Sequence, residues 1–437
     1  MTAKIDPPAM EPISRKSLRV LLPTLGSAGD LHPMVALGLA LQNRGHSATI
    51  VASPVFQATI ENVGLKFLPV GTLEQAHALH TDPKAFDPWR GFSVVAKRLM
   101  VPSIAEVYRL IEKNADADTV VAASTLSLGA RIAQDKLGVP TATVHLQPSL
   151  IRSLIDGGMV GYLRISPSQP MWFKRAFFGL IDWAVIDRSL RGPVNEFRET
   201  LGLAPVNGIL RSWVHSPQCV IGFFPEWFAA RQPDWPPQTH LVGFPLWDGG
   251  GGQVPVPPEA EDFLRVGDPP IIFTPGTAGS TMHRYFVESA EAVRSLGLRA
   301  MFVTNYPEQL PRHLPSCVKA FGYMPFSEVL RRASLLVYHG GIGTLAHAIN
   351  AGIPHLVVPN AHDQFDSGLR IERLGLGRSI WQKNYRADRA AKAIRAIIHD
   401  SALRRRCLEY AERVNSTAAL TRACELLEGL PPKSILK

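Results

Sequence analysis

Cysteine is scarce. Cys219, Cys317, Cys407 and Cys424 are the only four in 437 residues, and they have no metal-ligand spacing. That argues against a disulfide-stapled scaffold and reads as reduced thiols in a cytoplasmic protein. Long apolar runs are also missing: nothing approaches the ~20 uninterrupted apolar residues of a membrane span. The N-terminal stretch is polar and proline-rich and lacks the apolar centre of a secretory signal, which predicts a disordered leader over residues 1–17. No basic stretch is interleaved with aromatics, so the excess of 46 Lys and Arg over 37 Asp and Glu does not indicate nucleic acid. A formal charge of +9 suits an anionic small molecule, with anionic lipid headgroups as a minority reading. The first glycine loop lacks a full Gly-x-Gly-x-x-Gly, and Ser53 rather than an acid ends the second strand, which argues against a nicotinamide dinucleotide.

What the chain does have is an alternation of short apolar runs and helical spacing, twice over. It opens with an apolar run from Leu18 to Leu25, the turn Gly26-Ser27-Ala28-Gly29-Asp30-Leu31-His32-Pro33, and a helix from Met34 to Arg44. Strands are expected at Ser47 to Ser53, Phe67 to Val70, Val120 to Ala123, Thr141 to His145 and Val220 to Phe224. A Pro/Gly-rich region follows, and the alternation restarts at Pro270 to Thr274. The length also favours two domains. The expected division is an N-terminal α/β domain over 18–235, a linker over 236–258, and a C-terminal α/β domain over 259–437 closed by helices.

The most informative stretch is Val337-Tyr338-His339-Gly340-Gly341-Ile342-Gly343-Thr344. It reads as strand, tight turn and helix start. Its glycines allow a ligand to approach the backbone, and the free N–H groups and dipole of the helix start favour an anion. The next strand, Val357-Val358-Pro359, leads to His362-Asp363-Gln364. Asp363 accepts hydrogen bonds and Gln364 both accepts and donates, which suits vicinal sugar hydroxyls. Each piece alone has a bland reading as a turn or cap. Consecutive loops on one sheet edge favour a phosphate-plus-sugar site. Asp116-Ala117-Asp118 mimics a metal motif, but it precedes a strand and reads as a turn.

Met171 to Trp183 is aromatic. Trp172, Phe173, Ala176, Phe177, Leu180, Ile181 and Ala184 share one helical face. A core face is the favoured reading, and a wall of an apolar pocket or a membrane-surface helix the sharper one. Asp182 and Asp187 count against the membrane.

These motifs together resemble the GT-B glycosyltransferases of family 1, over roughly Leu18 to Asp400. The resemblance rests on Gly26 to Asp30 with Pro33, the His339 to Thr344 loop, and His362-Asp363-Gln364-Phe365-Asp366. The segments His215-Ser216-Pro217-Gln218, Phe224 to Phe228, Asp234-Trp235-Pro236 and Gly243-Phe244-Pro245 are similar to the bacterial rhamnosyltransferases of rhamnolipid synthesis. The resemblance implies two Rossmann-like domains facing across a cleft and an inverting, metal-independent transfer. It implies no cofactor, with a UDP- or dTDP-sugar as co-substrate and a base that deprotonates the acceptor hydroxyl.

By the same resemblance, Asp30 stands where plant members have a His base, with His32 as the rival. Ser124 stands where they carry the orienting acid. Gly276, Thr277, His339, Gly341, Gly343 and Thr344 would hold the diphosphate, Asp363 and Gln364 the sugar. Tyr323 and Met324 align with the base-stacking position, and His347 with a ribose-binding Glu. The implied function is transfer of a sugar, first choice rhamnose from dTDP-rhamnose, to a lipid-like hydroxylated acceptor such as a hydroxy-fatty-acid dimer. The alternatives are a UDP-glucose-dependent transferase of sterols, polyphenols or other apolar alcohols, and a catalytically silent partner of another transferase. Peripheral contact with the inner face of a membrane stays open.

Overall fold

The computed structural model describes residues 17–249, 254–276 and 282–431. The expected leader lies outside them except for Ser17, as do the glycines at 250–252 and Thr277. The first sheet comprises β1 Arg19–Pro23, β2 Ser47–Ala52, β3 Lys66–Pro69, β4 Thr119–Ser124, β5 Thr141–His145, β6 Cys219–Gly222 and β7 Thr239–Leu241. Their order is β3-β2-β1-β4-β5-β6-β7, all parallel. The second comprises β8 Ile271–Thr274, β9 Ala300–Val303, β10 Val318–Phe321, β11 Leu335–Tyr338, β12 His355–Val357 and β13 Gly377–Ser379. Its order is β10-β9-β8-β11-β12-β13, again all parallel.

Parallel sheets need helices on both faces, so their strands must be apolar throughout. Ile271–Thr274 and Leu335–Tyr338 are buried at every position. The helix Ala28–Asn43 covers β1 and β2 with Leu31, Met34, Val35, Leu37 and Leu41, none more than 1% exposed. Full burial of such side chains stabilises by about 1.5–3 kcal/mol each. The helix begins at Ala28, well before the expected Met34, and contains Pro33 in its second turn. Pro33 has no N–H to give to the Gly29 carbonyl, so the helix lacks that bond in its first turns.

Strand order reverses between β1 and β4 in the first sheet and between β8 and β11 in the second. Such switch points leave a crevice at the strand carboxyl ends.

Three features depart from the sequence reading. β7 lies inside the stretch expected as linker and is the seventh strand of the first sheet. The last helix, Ser416–Glu428, packs against the helix Ala28–Asn43 of the N-terminal half. Glu428 accepts two bonds from Arg44, at 2.6 and 2.8 Å, and lies 2.9 Å from His46 Nε2. Third, much of the aromatic helical face favoured as core is open to solvent: Trp172 is 72% and Leu180 59% exposed, while Phe177, Ile181 and Ala184 are half-buried. Among the described residues no helix is long and apolar enough to cross a membrane.

Candidate active site

Strand register assembles the donor side. Thr274 pairs with Tyr338 and Tyr338 with Val357, so the chain leaves β8, β11 and β12 at one level. The segments that follow, Pro275-Gly276, His339-Gly340-Gly341 and Asn360 to Gln364, therefore meet. In the first sheet Leu21 pairs with Val121, which sets Gly26 to Asp30 beside the end of β4. Ser124, where an orienting acid is missing, accepts from Leu25 N–H at 3.4 Å and holds this loop. The two halves come close at their helix starts. A Cβ on Gly343 would lie 3.9 Å from Gly29 Cα. Two positive helix ends thus converge on one point, an arrangement that favours a diphosphate.

His339 occupies a slot made by glycine. A Cβ at Gly276 would stand 2.5 Å from its ring and one at Gly341 2.3 Å from Nε2. Gly276 also has φ +83° and Gly340 φ +97°, which other residues adopt only with strain. Burial lowers the His339 pKa to about 4, so the ring is neutral at pH 7. Its Nδ1 is buried and has no hydrogen-bond partner among the described residues. A buried polar atom of that kind normally finds a partner, and a ligand phosphate would supply one. Gly341 is the N-cap of the helix Ile342–Ala351, so Thr344 is not the cap; it sits in the first turn and lines the cavity.

Asp363 and Gln364 follow His362, the one non-glycine residue with positive φ, +54°, among those described. Strain of this sort collects at functional positions. Gln364 Oε1 accepts from the Asn360 and Ala361 N–H groups at 2.9 and 3.0 Å. The carbonyl end is thereby committed, so Gln364 offers a ligand its NH2 as a donor, rather than both functions. Burial first, then the charges of Asp30 and Asp366, push the Asp363 pKa up to about 7. Sugar hydroxyls bond more strongly to the ionised carboxylate. The preference for nucleotide sugar over bare nucleotide diphosphate is therefore expected to grow as pH rises through about 7 and to fade below it. Calorimetric titration of both ligands from about pH 5.5 to 8.5 checks this; an Asp363→Asn variant should give a flat ratio.

Asp30 lies in the first turn of its helix. Its Oδ2 accepts from Ser27 N at 2.8 Å and from Ser27 Oγ at 3.1 Å. The residue keeps an accessible edge on the cleft, yet the cleft walls remove most water from around it. Desolvation raises its pKa, and the Ser27 bonds offset part of the rise. Asp30 is electrostatically coupled to Asp363, so the candidate base faces the sugar end. His32 faces elsewhere. Its ring meets Trp247 edge-on at 5.0 Å, and its neighbours in charge are His347 and Asp248. Burial lowers its pKa to about 4, which leaves a neutral and weak base.

On the nucleotide side, Tyr323 lines the cavity with its hydroxyl tied to the Asp248 carbonyl at 2.7 Å. The ring is thus pinned. Met324 is different: its side chain is wholly buried in the core and does not line the cavity, so it offers at most its backbone. His347 stands 3.8 Å from Asp248, whose oxygens accept from Ser327 N and Oγ. Asp248 is a cavity-lining acid that the sequence reading missed. It arrives from the interdomain segment, three residues past the Gly243-Phe244-Pro245 stretch, and nothing local in the sequence marks it. A carboxylate thus returns to the neighbourhood where His347 replaces the family's Glu.

The expected base, its rival and the expected donor-binding residues, except Met324 and the undescribed Thr277, border one cavity of about 590 Å3, together with His347 and Asp248. Its lining from the N-terminal half includes the apolar side chains of Trp89, Phe92, Met100, Phe178, Ile181 and Ile186.

Comparison with known proteins agrees with this geometry. Residues 20–154 match the glycosyltransferase family 28 N-terminal domain, and residues 301–429 match the erythromycin biosynthesis protein CIII-like C-terminal domain. The chain is 28% identical over 424 residues to O-mycaminosyltylonolide 6-deoxyallosyltransferase of Streptomyces fradiae, covering 94% of this chain and 97% of that one. The fold is shared with the glycotransferase of kitacinnamycin, at a TM-score of 0.70, 18% identity and coverage of 95% and 100%. It is shared also with spinosyn rhamnosyltransferase SpnG complexed with thymidine diphosphate, at 0.65, 19%, 93% and 100%. With two parallel sheets opposed across a nucleotide-sugar cleft and a family model on each half, the chain is a glycosyltransferase of the GT-B type.

Proposed function

We propose that the enzyme is an inverting, metal-independent transferase that moves a 6-deoxyhexose, first choice L-rhamnose from dTDP-L-rhamnose, to a hydroxyl of an apolar, lipid-like acceptor such as a hydroxy-fatty-acid dimer. The observation that carries the acceptor class is the share of the cavity lining given by the N-terminal half, which includes Trp89, Phe92, Met100, Phe178, Ile181 and Ile186. An apolar chain there would be recognised by burial rather than by hydrogen bonds. The 6-deoxyallosyltransferase among the relatives and the rhamnosyltransferase with thymidine diphosphate among the shared folds support a deoxysugar on a thymidine carrier.

The chemistry assigned to the residues is a single displacement. The acceptor oxygen attacks the anomeric carbon, its proton passes to Asp30, and the bond from that carbon to the diphosphate breaks. His339, Thr344 and the two helix ends receive the leaving diphosphate; Asp363 and Gln364 hold the sugar; the Tyr323 ring meets the base.

A thermal-shift screen with dTDP, UDP, dTDP-rhamnose and UDP-glucose tests the donor. A ligand at 100 times its Kd stabilises the folded state by about 2.7 kcal/mol. The melting temperature is expected to rise with the thymidine compounds and little with the uridine ones. The reverse pattern would replace the donor assignment by UDP-glucose, and with it the acceptor by a sterol or polyphenol alcohol. No rise with any of them would favour the silent-partner alternative.

A further inference from the structure

We propose that the enzyme docks on an anionic lipid bilayer through the outer, tryptophan-bearing face of the helix spanning 171–200, and that this face adjoins the acceptor entrance. The helix is continuous through Met171–Ile181, a widened turn at Asp182–Asp187, and Arg188–Thr200. It has two apolar faces. Phe178, Ile181, Val185 and Ile186 line the cavity. Beyond them Trp172, Phe173, Leu180 and Trp183, with Met171 at the helix start, meet solvent, Trp183 being 74% exposed. Exposed tryptophans on an otherwise polar surface are costly in water and suit the boundary between headgroups and acyl chains.

Charge selects the partner. Arg175, Arg188 and Arg191 on the helix, and Arg164 just before it in the chain, are exposed. The two acids closest to it in the chain, which counted against a membrane in the sequence, turn away from it. Asp182 is 7% exposed and takes an ion pair from Arg152 at 2.5 Å; Asp187 is half-buried. The exposed acids of the helix, Glu196 and Glu199, come only in its last turns, well past the tryptophans. A helix with exposed tryptophans and arginines, and with no exposed acid between residues 171 and 195, complements an anionic surface. The face is also continuous with the cavity. Trp172 touches Phe173 at 6.1 Å, Phe173 stacks on Phe177 at 6.1 Å, and Phe177 meets Phe178 at 5.6 Å between ring centroids. That ladder runs from the surface to a side chain in the acceptor wall. Delivery of an acceptor along it rests on the apolar-acceptor reading above; the docking itself does not.

Vesicle flotation of the full chain is the test, with phosphatidylcholine alone and with phosphatidylcholine mixed with phosphatidylglycerol. The chain is expected to float with the mixed vesicles, less so as salt is raised, and little with phosphatidylcholine. Trp172→Glu/Trp183→Glu should lower partitioning by about tenfold or more, and Arg175→Ser/Arg188→Ser should remove most of the salt dependence. Neither pair lines the cavity. A far-ultraviolet circular dichroism spectrum and a melting temperature equal to the parent chain's, both without ligand, will establish that each variant is folded. Absence of flotation, or equal flotation by the tryptophan variant, overturns the proposal. So does light scattering that finds a dimer which the tryptophan variant converts to monomer, since a second copy would then cover the face. No sugar or acceptor enters the vesicle arm, so it can fail while the donor and acceptor assignments stand, and the reverse.

Discussion

Replacing Asp30 with Asn is expected to lower kcat by roughly 10²–10⁴-fold, the range that a positioned general base contributes, while nucleotide affinity stays within about twofold. The reasoning separates two duties of one side chain. The amide carbonyl of the Asp30→Asn variant can still accept from Ser27 N and Oγ, so the loop and the helix start keep their shape. What the amide cannot do is take a proton. The pH profile gives a second check. Desolvation raises the Asp30 pKa, and the base works only when ionised. Activity of the parent enzyme should therefore climb with pH through that raised value. The limb should vanish in the variant. If Asp30→Asn instead keeps a rate near the parent's, with the same acidic limb, proton removal belongs to another group. His32 would be examined next, and its limb would lie near its pKa of about 4.

The second large effect is predicted at a residue with no side chain. Gly341→Ala is expected to weaken nucleotide diphosphate binding about 10–100-fold, and His339→Ala by a similar factor. Hydrogen bonds to a charged group contribute about 1.5–3 kcal/mol. The added methyl would stand 2.3 Å from His339 Nε2, closer than any real Cβ contact, so the ring must shift. The imidazole cannot stay where the phosphate needs it. Because both changes remove one contact, the double variant should bind about as weakly as either single variant. Isothermal titration with dTDP on all three proteins measures this. Multiplying losses in the double variant would mean that the glycine and the histidine act separately. Unchanged binding by Gly341→Ala would remove the slot from the account.

Much of the architecture was readable because parallel strands leave a plain mark. They are buried on both sides, so Leu335–Tyr338 and Ile271–Thr274 stand out as uninterrupted apolar runs. β7 and β13 are three residues each, too short for any periodicity to show. The donor loops were legible for a backbone reason: only glycine tolerates the conformations and close approaches at 276, 340 and 341. Met324 departs from its expected place because alignment gives position along the chain and not the direction of a side chain. Gln364 is half legible, since its amide looks free in the sequence while its carbonyl is bound to the backbone of its own loop.

The helix at 171–200 shows the limit most clearly. Spacing tells that Trp172, Phe173 and Leu180 share a face, but the same spacing serves a core and a docking surface. Only the packing of the helix against the cavity decided which side met water. Asp248 is the other case. Nothing local marks it, and it joins His347, Tyr323 and Ser327 only because the chain crosses between the domains there. By itself the sequence determined what is set by neighbours in the chain: the strand–helix alternation, the glycine turns and the acid at the first helix start. The tertiary structure alone decided which side chains share one cavity, how burial shifts Asp30, Asp363 and His339, and which apolar face stays open. Those depend on elements far apart in the chain and on the water their packing excludes.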